Sequence, residues 1–405
     1  MTTTRRDAPP LADTFPPAGT FSGLGETGAN NFDVLRFVLA SLVILSHSFP
    51  LLHGDNRREP LSRLTGGQTD LGTLAVDGFF LISGFLISRS WLRSAGTADY
   101  LKKRILRIYP GFLVAAAFGA FAVGPLLAVR PSAYWSRFSA VTFGRSALAL
   151  QAVYPRVFGA LPYPSLNGSL WTVGYEFECY LAVILLGRLG FWRSRSGPAV
   201  GLALAVGLYA AQAHWPGPGQ AAPFGRGPWP RFAATFLAGV WFQSERERLP
   251  RSSGLFVAAL WGLVVLAAVP EWRGFAPAVP VLGGYMLFYL ASLPTPWSRR
   301  RARRADISYG LYLYAFPVQQ LLVRYLGADR LTPLGLFALA YPAALVMAVL
   351  SWRLVEAPCL RRKVRPAPGP PVPTARQAEP PHPAHDGLRA SLTASPSPRG
   401  PISSG

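Results

Sequence analysis

Several ionisable side chains lie inside long apolar stretches of this 405-residue chain, and Arg36, His47, Asp77 and Glu176 are the candidates for chemistry among them. Placing a charge in such surroundings costs several kcal/mol, so each of these residues is a candidate for function. Histidine and carboxylate groups take up and release protons. Their combination therefore predicts general acid–base catalysis.

Arg36 and His47 lie eleven residues apart in the segment FDVLRFVLASLVILSHS. Eleven residues make about three helical turns, so both side chains face one side of a helix, about 16 Å apart along its axis. The spacing fits a polar seam that faces the protein interior, and it also fits a snorkelling arginine with an interfacial histidine. At this distance Arg36 cannot touch His47, and we expect it to contact a carboxylate such as Asp33 or the anionic arm of a substrate.

The two carboxylates share a depth with the histidine. Asp77 and Glu176 lie about seven and eight residues inside their stretches, close to the depth of His47 in its own stretch. Three acid–base groups at one depth on three helices meet the placement that proton transfer requires. Asp77 is predicted either to orient a histidine or to satisfy a backbone donor.

A pair of arginines, Arg104 and Arg107, lies in the segment KKRILRIYP. Residues three apart share one face of a helix. The pair fits an anchor at the cytoplasmic membrane surface. It equally fits a clamp for a phosphate group, which suits paired guanidinium groups.

Apolar stretches of about 20 residues, the length that crosses a bilayer, must position these side chains. They cover 33–52, 70–91, 105–128, 168–188, 197–213, 230–244, 254–270, 278–294, 306–327 and 333–353. The sequence therefore predicts an all-α integral membrane protein, a bundle of about ten transmembrane helices. The long aromatic loop 129–167 is expected to be functional or partly helical.

The distribution of Lys and Arg predicts the orientation of this bundle. With a cytoplasmic N-terminus, 27 of the 40 Lys and Arg residues fall in cytoplasmic segments and 11 in outer loops. This bias follows the positive-inside rule and predicts that both termini are cytoplasmic. The net charge of +21 then reflects topology and contact with membrane lipids. Because the charge is dispersed over many loops, nucleic-acid binding is not expected.

The ends of the chain differ in composition from its middle. Residues 1–30 and 361–405 are rich in polar residues, Gly and Pro and are predicted to be disordered, flanking a transmembrane domain at 31–360. No metal site is expected, because His53 and His214 lack ligand partners and two cysteines cannot build a structural zinc site.

Six segments together resemble the acyltransferase 3 family, membrane-bound enzymes that O-acylate sugars. They are the Arg36-to-His47 segment, VDGFFLISGFLIS (76–88), RILRIYP (104–110), GSLWTVGYEFECY (168–180), ISYGLYLYAFP (307–317) and WRLVEAP (352–358). Each motif alone is common, whereas their order and spacing together are specific.

The resemblance implies a role for each matched residue. His47 would be the catalytic base, with Arg36 as its partner on the same helix. Arg104 and Arg107 would engage the acyl-CoA donor from the cytoplasm. Glu176 matches the glutamate of the family's fourth motif.

The chain departs from this pattern at Ala315, where many family members have histidine. Because the other motifs are intact, we interpret Ala315 as a subgroup difference that alters the site. If the second histidine were indispensable, the chain would be an inactive pseudoenzyme or a scaffold.

The resulting hypothesis is acyl transfer from acyl-CoA, with acetyl-CoA as the expected donor, to a carbohydrate hydroxyl. The acceptor would be a surface or secreted polysaccharide or a glycosylated metabolite, and the enzyme a multi-pass protein of the cell membrane. His47 would remove the hydroxyl proton in a direct transfer, which is preferred over an acyl carrier at Ser83. The alternative is a multi-pass transporter or flippase for a glycan or acyl group, against which the chain shows neither an internal repeat nor paired broken helices.

Overall fold

The computed structural model of the chain describes residues 19–25, 30–155, 157–192, 194, 196–214, 227–294 and 306–361. Across these residues the backbone forms helices joined by turns and loops, without a strand of a β-sheet. The predicted all-α class is therefore confirmed for this part of the chain.

The helices follow one another along the described ranges. In chain order they are α1 (Phe32–His53), α2 (Pro60–Leu64), α3 (Leu71–Leu92), α4 (Thr97–Leu127), α5 (Pro131–Arg137), α6 (Ala140–Leu148), α7 (Trp171–Arg188), α8 (Gly197–His214), α9 (Trp229–Glu245), α10 (Ser253–Ala268), α11 (Phe275–Ser292), α12 (Ser308–Leu326) and α13 (Pro333–Arg361). Short 3₁₀ turns lie at Pro270–Trp272 and Ala328–Arg330, and π-helical turns interrupt α4 at Gly119–Val123, α11 at Val279–Gly283 and α13 at Trp352–Glu356.

Each predicted apolar stretch coincides with one of these helices. By length and composition, α1, α3, α4, α11 and α13 are apolar enough to cross a membrane. The main difference is at α4, which begins at Thr97 instead of residue 105 because the charged segment before the apolar stretch is itself helical. Asp99 lies in its first turn, where a negative charge stabilises the helix dipole.

Loop 129–167 contains the two short helices α5 and α6, which confirms the expectation that it is partly helical. Tyr134 of α5 is fully buried, and its hydroxyl donates to the carbonyl of Ala120 at 2.8 Å. This hydrogen bond fixes the loop against the π-helical turn of α4.

Helix α3 lies at the centre of the fold, packed against α1 on one side and α9 on another. The crossing with α9 is close because Gly84 faces Gly239. A Cβ atom on Gly84 would collide with the carbonyl oxygen of Phe236, and one on Gly239 would lie 3.0 Å from the Cα of Gly84. The glycines of α3 thus permit close helix approach, as expected from their small size.

Small residues also join α12 to α1 and α13. Ala315 of α12 is buried in a cluster with Ala40 and Ile44 of α1 and with Ala344 and Ala348 of α13. These contacts hold α12, which carries part of the candidate site, between its two neighbours.

Residues 19–25, within the segment predicted to be disordered, are packed against the bundle. Phe21 and Leu24 are buried, and Thr20 forms an isolated backbone bridge with Pro250. The remainder of the predicted N-terminal segment, apart from Asn30, and the predicted tail beyond Arg361 lie outside the described residues.

Candidate active site

Two cavities adjoin each other inside the helical bundle. The first, here called the arginine cavity, has a volume of about 370 Å³ and is lined in part by Arg36, Arg104, Arg107 and Glu176. The second, the histidine cavity, has a volume of about 380 Å³ and contains His47. The two cavities share three lining residues, Val76, Thr172 and Tyr312.

The arginine cavity brings together the three arginines that the sequence singled out. Arg36 comes from α1, and Arg104 and Arg107 lie three residues apart on α4, so that both project to one side of that helix. Glu176 of α7 completes the charged lining. Their convergence could not be read from the sequence, because it depends on how α1, α4 and α7 pack.

Asp306, which sequence analysis did not identify, ties two of these arginines together. Its carboxylate forms an ion pair with Arg107 and lies 3.5 Å from Arg36, and it accepts a hydrogen bond from the Ser308 hydroxyl at 2.5 Å. Arg36 therefore pairs with Asp306 instead of Asp33. The only sequence signal for Asp306 is its position at the start of the ninth apolar stretch.

A second buried carboxylate, Glu356, faces Arg107. Its Oε2 atom lies 3.9 Å from Arg107 Nη1, and its Oε1 atom accepts a hydrogen bond from Ser351 at 3.0 Å. Glu356 lies in the π-helical turn of α13 and within the segment WRLVEAP that carries the family resemblance. Two carboxylates therefore compensate the charge of Arg107.

Arg104 has a different environment. It donates to the hydroxyl of Ser90 at 3.3 Å and lies 5.8 Å from the ring centres of both Tyr100 and Tyr180. Its Nε atom is buried without a hydrogen-bond partner, and no carboxylate of the described residues lies within ion-pair distance of it. Arg104 is thus a cavity-lining guanidinium that forms no ion pair with a described carboxylate, although Glu176 lines the same cavity.

Glu176 is held by hydroxyl groups. The Ser83 hydroxyl donates to its Oε1 atom at 2.7 Å, and the Tyr180 hydroxyl donates to the same atom at 2.5 Å. Glu176 lines the arginine cavity and is absent from the lining of the histidine cavity. The similar depth that the sequence indicated does not bring Glu176 and His47 into one chamber.

His47 lines the histidine cavity without a hydrogen bond to any described residue. Its ring packs edge-to-face on Phe316, with 5.1 Å between ring centres, and its Nδ1 atom is buried without a partner. Two carboxylates, Asp55 and Asp70, line this cavity. Asp70, the N-cap of α3, accepts from the backbone of Thr73 at 2.7 Å and from Asn56 at 2.8 Å. Sequence analysis did not identify Asp70, because it lies at the edge of its apolar stretch.

Asp77 forms a buried ion pair with Arg231, at 2.7 Å between Oδ1 and Nε. Arg231 also donates to the carbonyl of Thr73 at 2.7 Å and lines the histidine cavity. The carboxylate of Asp77 therefore binds a cation, in place of the histidine or backbone donor expected from the sequence. Sequence analysis did not identify Arg231, which lies in the first turn of α9.

Among the described residues, no three His, Cys, Asp or Glu side chains are arranged to hold a metal ion. The two cavities instead offer guanidinium groups in one chamber and an imidazole in the next. Guanidinium groups bind phosphate, and a neutral imidazole accepts a proton.

Comparison with known proteins identifies the family to which this chain belongs. Residues 30–353 match the model of the Acyltransferase domain, and the chain belongs to that family, the acyltransferase 3 family. The chain is an O-acyltransferase, and the alternative of a transporter is not supported.

Two relatives, one from a bacterium and one from a phage, each match 82% of this chain. Nodulation protein 10 of Rhizobium leguminosarum bv. viciae is 31% identical over 366 residues, covering 82% of this chain and 93% of the relative. The O-acetyl transferase of Shigella phage Sf6 is 28% identical over 339 residues, covering 82% of this chain and 97% of the relative.

A more distant match is Regulator of hypoxia-inducible factor 1 of Caenorhabditis elegans. It is 25% identical over 206 residues, which cover 43% of this chain and 36% of that protein. No solved structure matches the chain.

Proposed function

We propose that the enzyme transfers an acyl group, in the first instance acetyl, from acyl-CoA to a hydroxyl of a carbohydrate acceptor. The observation that carries this proposal is the adjoining pair of cavities, one lined by three arginines and the other by His47. The O-acetyl transferase relative supports acetyl as the group transferred.

The arginine cavity is the proposed donor site. Acyl-CoA carries several phosphates, and guanidinium groups bind phosphate through paired, charge-assisted hydrogen bonds. Arg104 is the proposed primary phosphate ligand because it forms no ion pair with a described carboxylate and its Nε atom has no hydrogen-bond partner. Arg36 and Arg107 contribute less net charge, since Asp306 and Glu356 face them.

The histidine cavity is the proposed acceptor site. Aromatic side chains that stack on sugar rings line it, including Tyr163 and Trp171, together with polar groups such as Asn56 and Asp70. These groups offer both the apolar face and the hydrogen-bond partners that a carbohydrate requires.

His47 acts as the general base of a direct transfer. It removes the proton from the acceptor hydroxyl as that oxygen bonds to the thioester carbonyl carbon. The carbon–sulfur bond then breaks, and the proton passes from His47 to the departing CoA thiolate. Asp70 lies in the same cavity and favours the imidazolium that forms during this step.

The proposed membrane arrangement follows from the charge distribution. Ten helices cross the cell membrane with both termini cytoplasmic, so that Arg104 and Arg107 lie towards the cytoplasm and His47 lies towards the outer face. This orientation gives cytoplasmic acyl-CoA access to the arginine cavity and gives an outer carbohydrate access to the histidine cavity.

The decisive experiment measures acyl transfer by the purified full chain in lipid nanodiscs. Radiolabelled acetyl-CoA is the donor, and a carbohydrate fraction from the producing cells is the acceptor. His47→Gln keeps hydrogen bonding but cannot accept the proton, so the transfer rate should fall about 10²–10⁴-fold. Binding of acetyl-CoA should stay near the wild-type level.

His53→Gln is the matched control, because His53 is an exposed residue at the end of the same helix. It should retain wild-type transfer. Near-normal turnover by His47→Gln would refute the general-base assignment, and absence of label transfer by the wild-type chain from any acyl-CoA would refute the proposed donor.

A further inference from the structure

We propose that Val76, Thr172 and Tyr312 form the passage that the acyl group occupies during transfer, and that they set the largest acyl group the enzyme accepts. This inference rests on the proposed function. It assigns specificity to three residues that belong to neither the arginine group nor the histidine.

The argument begins with where the reacting carbon must lie. The phosphates of the donor are bound among arginines in one cavity, while His47 activates the acceptor oxygen in the other. The thioester carbonyl has to reach that oxygen at bonding distance. It must therefore lie where the two cavities meet, and the residues lining both cavities are those that surround it.

The side chains at the boundary are buried and held by their neighbours. Its three residues are buried, with exposed fractions of 9% for Val76, 5% for Thr172 and 8% for Tyr312. The hydroxyls of Thr172 and Tyr312 lie 2.6 Å apart in a hydrogen bond across the boundary. The ring of Phe79 packs edge-to-face on Tyr312, with 5.9 Å between ring centres.

Each boundary residue comes from a different helix, Val76 from α3, Thr172 from α7 and Tyr312 from α12. Widening the passage would require a helix to move or a side chain to leave a packed position. Because packed interiors resist such changes, the passage should admit a short acyl group and exclude a longer one.

The test compares acetyl-CoA, butyryl-CoA and hexanoyl-CoA as donors for the full chain in nanodiscs, with CoA release as the readout. Val76→Ala removes two methyl groups from the passage and should raise the kcat/KM ratio of butyryl to acetyl about tenfold or more, since hydrophobic sites discriminate about 10- to 200-fold per methylene. Thr172→Ser keeps the hydroxyl, removes one methyl group, and should shift the ratio in the same direction.

Val183→Ala is the matched control. Val183 is fully buried on α7, but it lines neither the arginine cavity nor the histidine cavity. Its donor ratio should stay within about twofold of the wild type, because no methylene is removed from the passage.

The outcomes separate the two proposals. If the wild-type chain releases CoA from acetyl-CoA but neither Val76→Ala nor Thr172→Ser moves the ratio beyond the Val183→Ala control, the passage assignment is overturned while the proposed function stands. If the wild-type chain uses none of the three donors, the proposed function fails and the passage assignment fails with it. If Val76→Ala does not fold, the donor ratio of Thr172→Ser, a variant on another helix, decides whether the passage assignment stands.

Discussion

Arg104 and Arg107 lie on one face of α4, yet the structure predicts opposite consequences for their removal. Arg107 faces the carboxylates of Asp306 and Glu356, whereas no described carboxylate lies within ion-pair distance of Arg104. Replacing Arg107 with alanine should damage folding. Replacing Arg104 should damage donor binding.

Arg107→Ala lowers the stability of the fold because it removes the cation that faces two carboxylates. The side chains of Asp306 and Glu356 are 15% and 2% exposed, so the variant strands two carboxylates away from bulk water. Breaking a buried ion pair by removing one partner costs about 3–5 kcal/mol. Asp306 keeps Arg36 and Ser308 as neighbours, which favours the lower end of that range.

Arg104→Ala removes weaker interactions. Two cation–π contacts contribute about 0.5–1 kcal/mol each, and the hydrogen bond to Ser90 contributes about 1 kcal/mol. No charge is stranded. In the donor complex, the lost charge-assisted hydrogen bond is worth about 1.5–3 kcal/mol, which weakens acyl-CoA binding about 10- to 150-fold.

The assay measures thermal unfolding and CoA binding of each variant in the same nanodiscs. Arg104→Ala should stay folded and bind CoA weakly, while Arg107→Ala should unfold at a clearly lower temperature. Lys102→Ala is the control, because Lys102 is an exposed cation in the same helix. Equal stability of the two arginine variants, together with unchanged CoA affinity in Arg104→Ala, would refute this division of roles.

The remaining predictions concern topology and packing. Reporter fusions after Gly54 and after Ser94 should report outside and inside respectively, and two reporters on one side would contradict the proposed topology. Asp77→Asn should lower thermal stability, by up to about 3–5 kcal/mol, because it weakens the buried pair with Arg231; a wild-type unfolding temperature would contradict this. Ala315→His should also destabilise, by about 1–3 kcal/mol or more, because it overpacks a buried contact; a stable variant with faster transfer would contradict it.

The helices were predictable because apolar stretches of membrane-crossing length leave the chain few other structures. Helix ends were harder to predict. At α4 the segment around Lys102 and Lys103 is too polar for an apolar stretch, yet Lys103 pairs with Asp99 at i,i+4 within a helix. Hydropathy therefore predicts the apolar middle of a helix but does not detect the polar turns at its ends.

Sequence analysis singled out several of the residues that line the two cavities, but it did not predict how they are grouped. Sequence depth placed His47, Asp77 and Glu176 at one level, whereas the structure assigns each a separate environment. Depth along an axis says nothing about which way a helix is rotated. Pairs such as Asp77 with Arg231 join residues 154 positions apart and exist only through packing.

The absence of histidine at position 315 has a packing explanation. Ala315 lines neither cavity, and it is buried where α12 meets α1 and α13. Five residues before it on the same helix, Gly310 approaches α13 so closely that a Cβ atom there would lie 2.9 Å from the Cα of Ala348. A helix contact this close requires small residues along the interface, so an imidazole at 315 would have to separate α12 from its neighbours. The residue beside it, Phe316, packs on the His47 ring, and any such separation would displace the proposed base. In this chain the small side chain at 315 therefore keeps α12 packed against its neighbours, and the proton transfer proposed for His47 does not call for a second histidine.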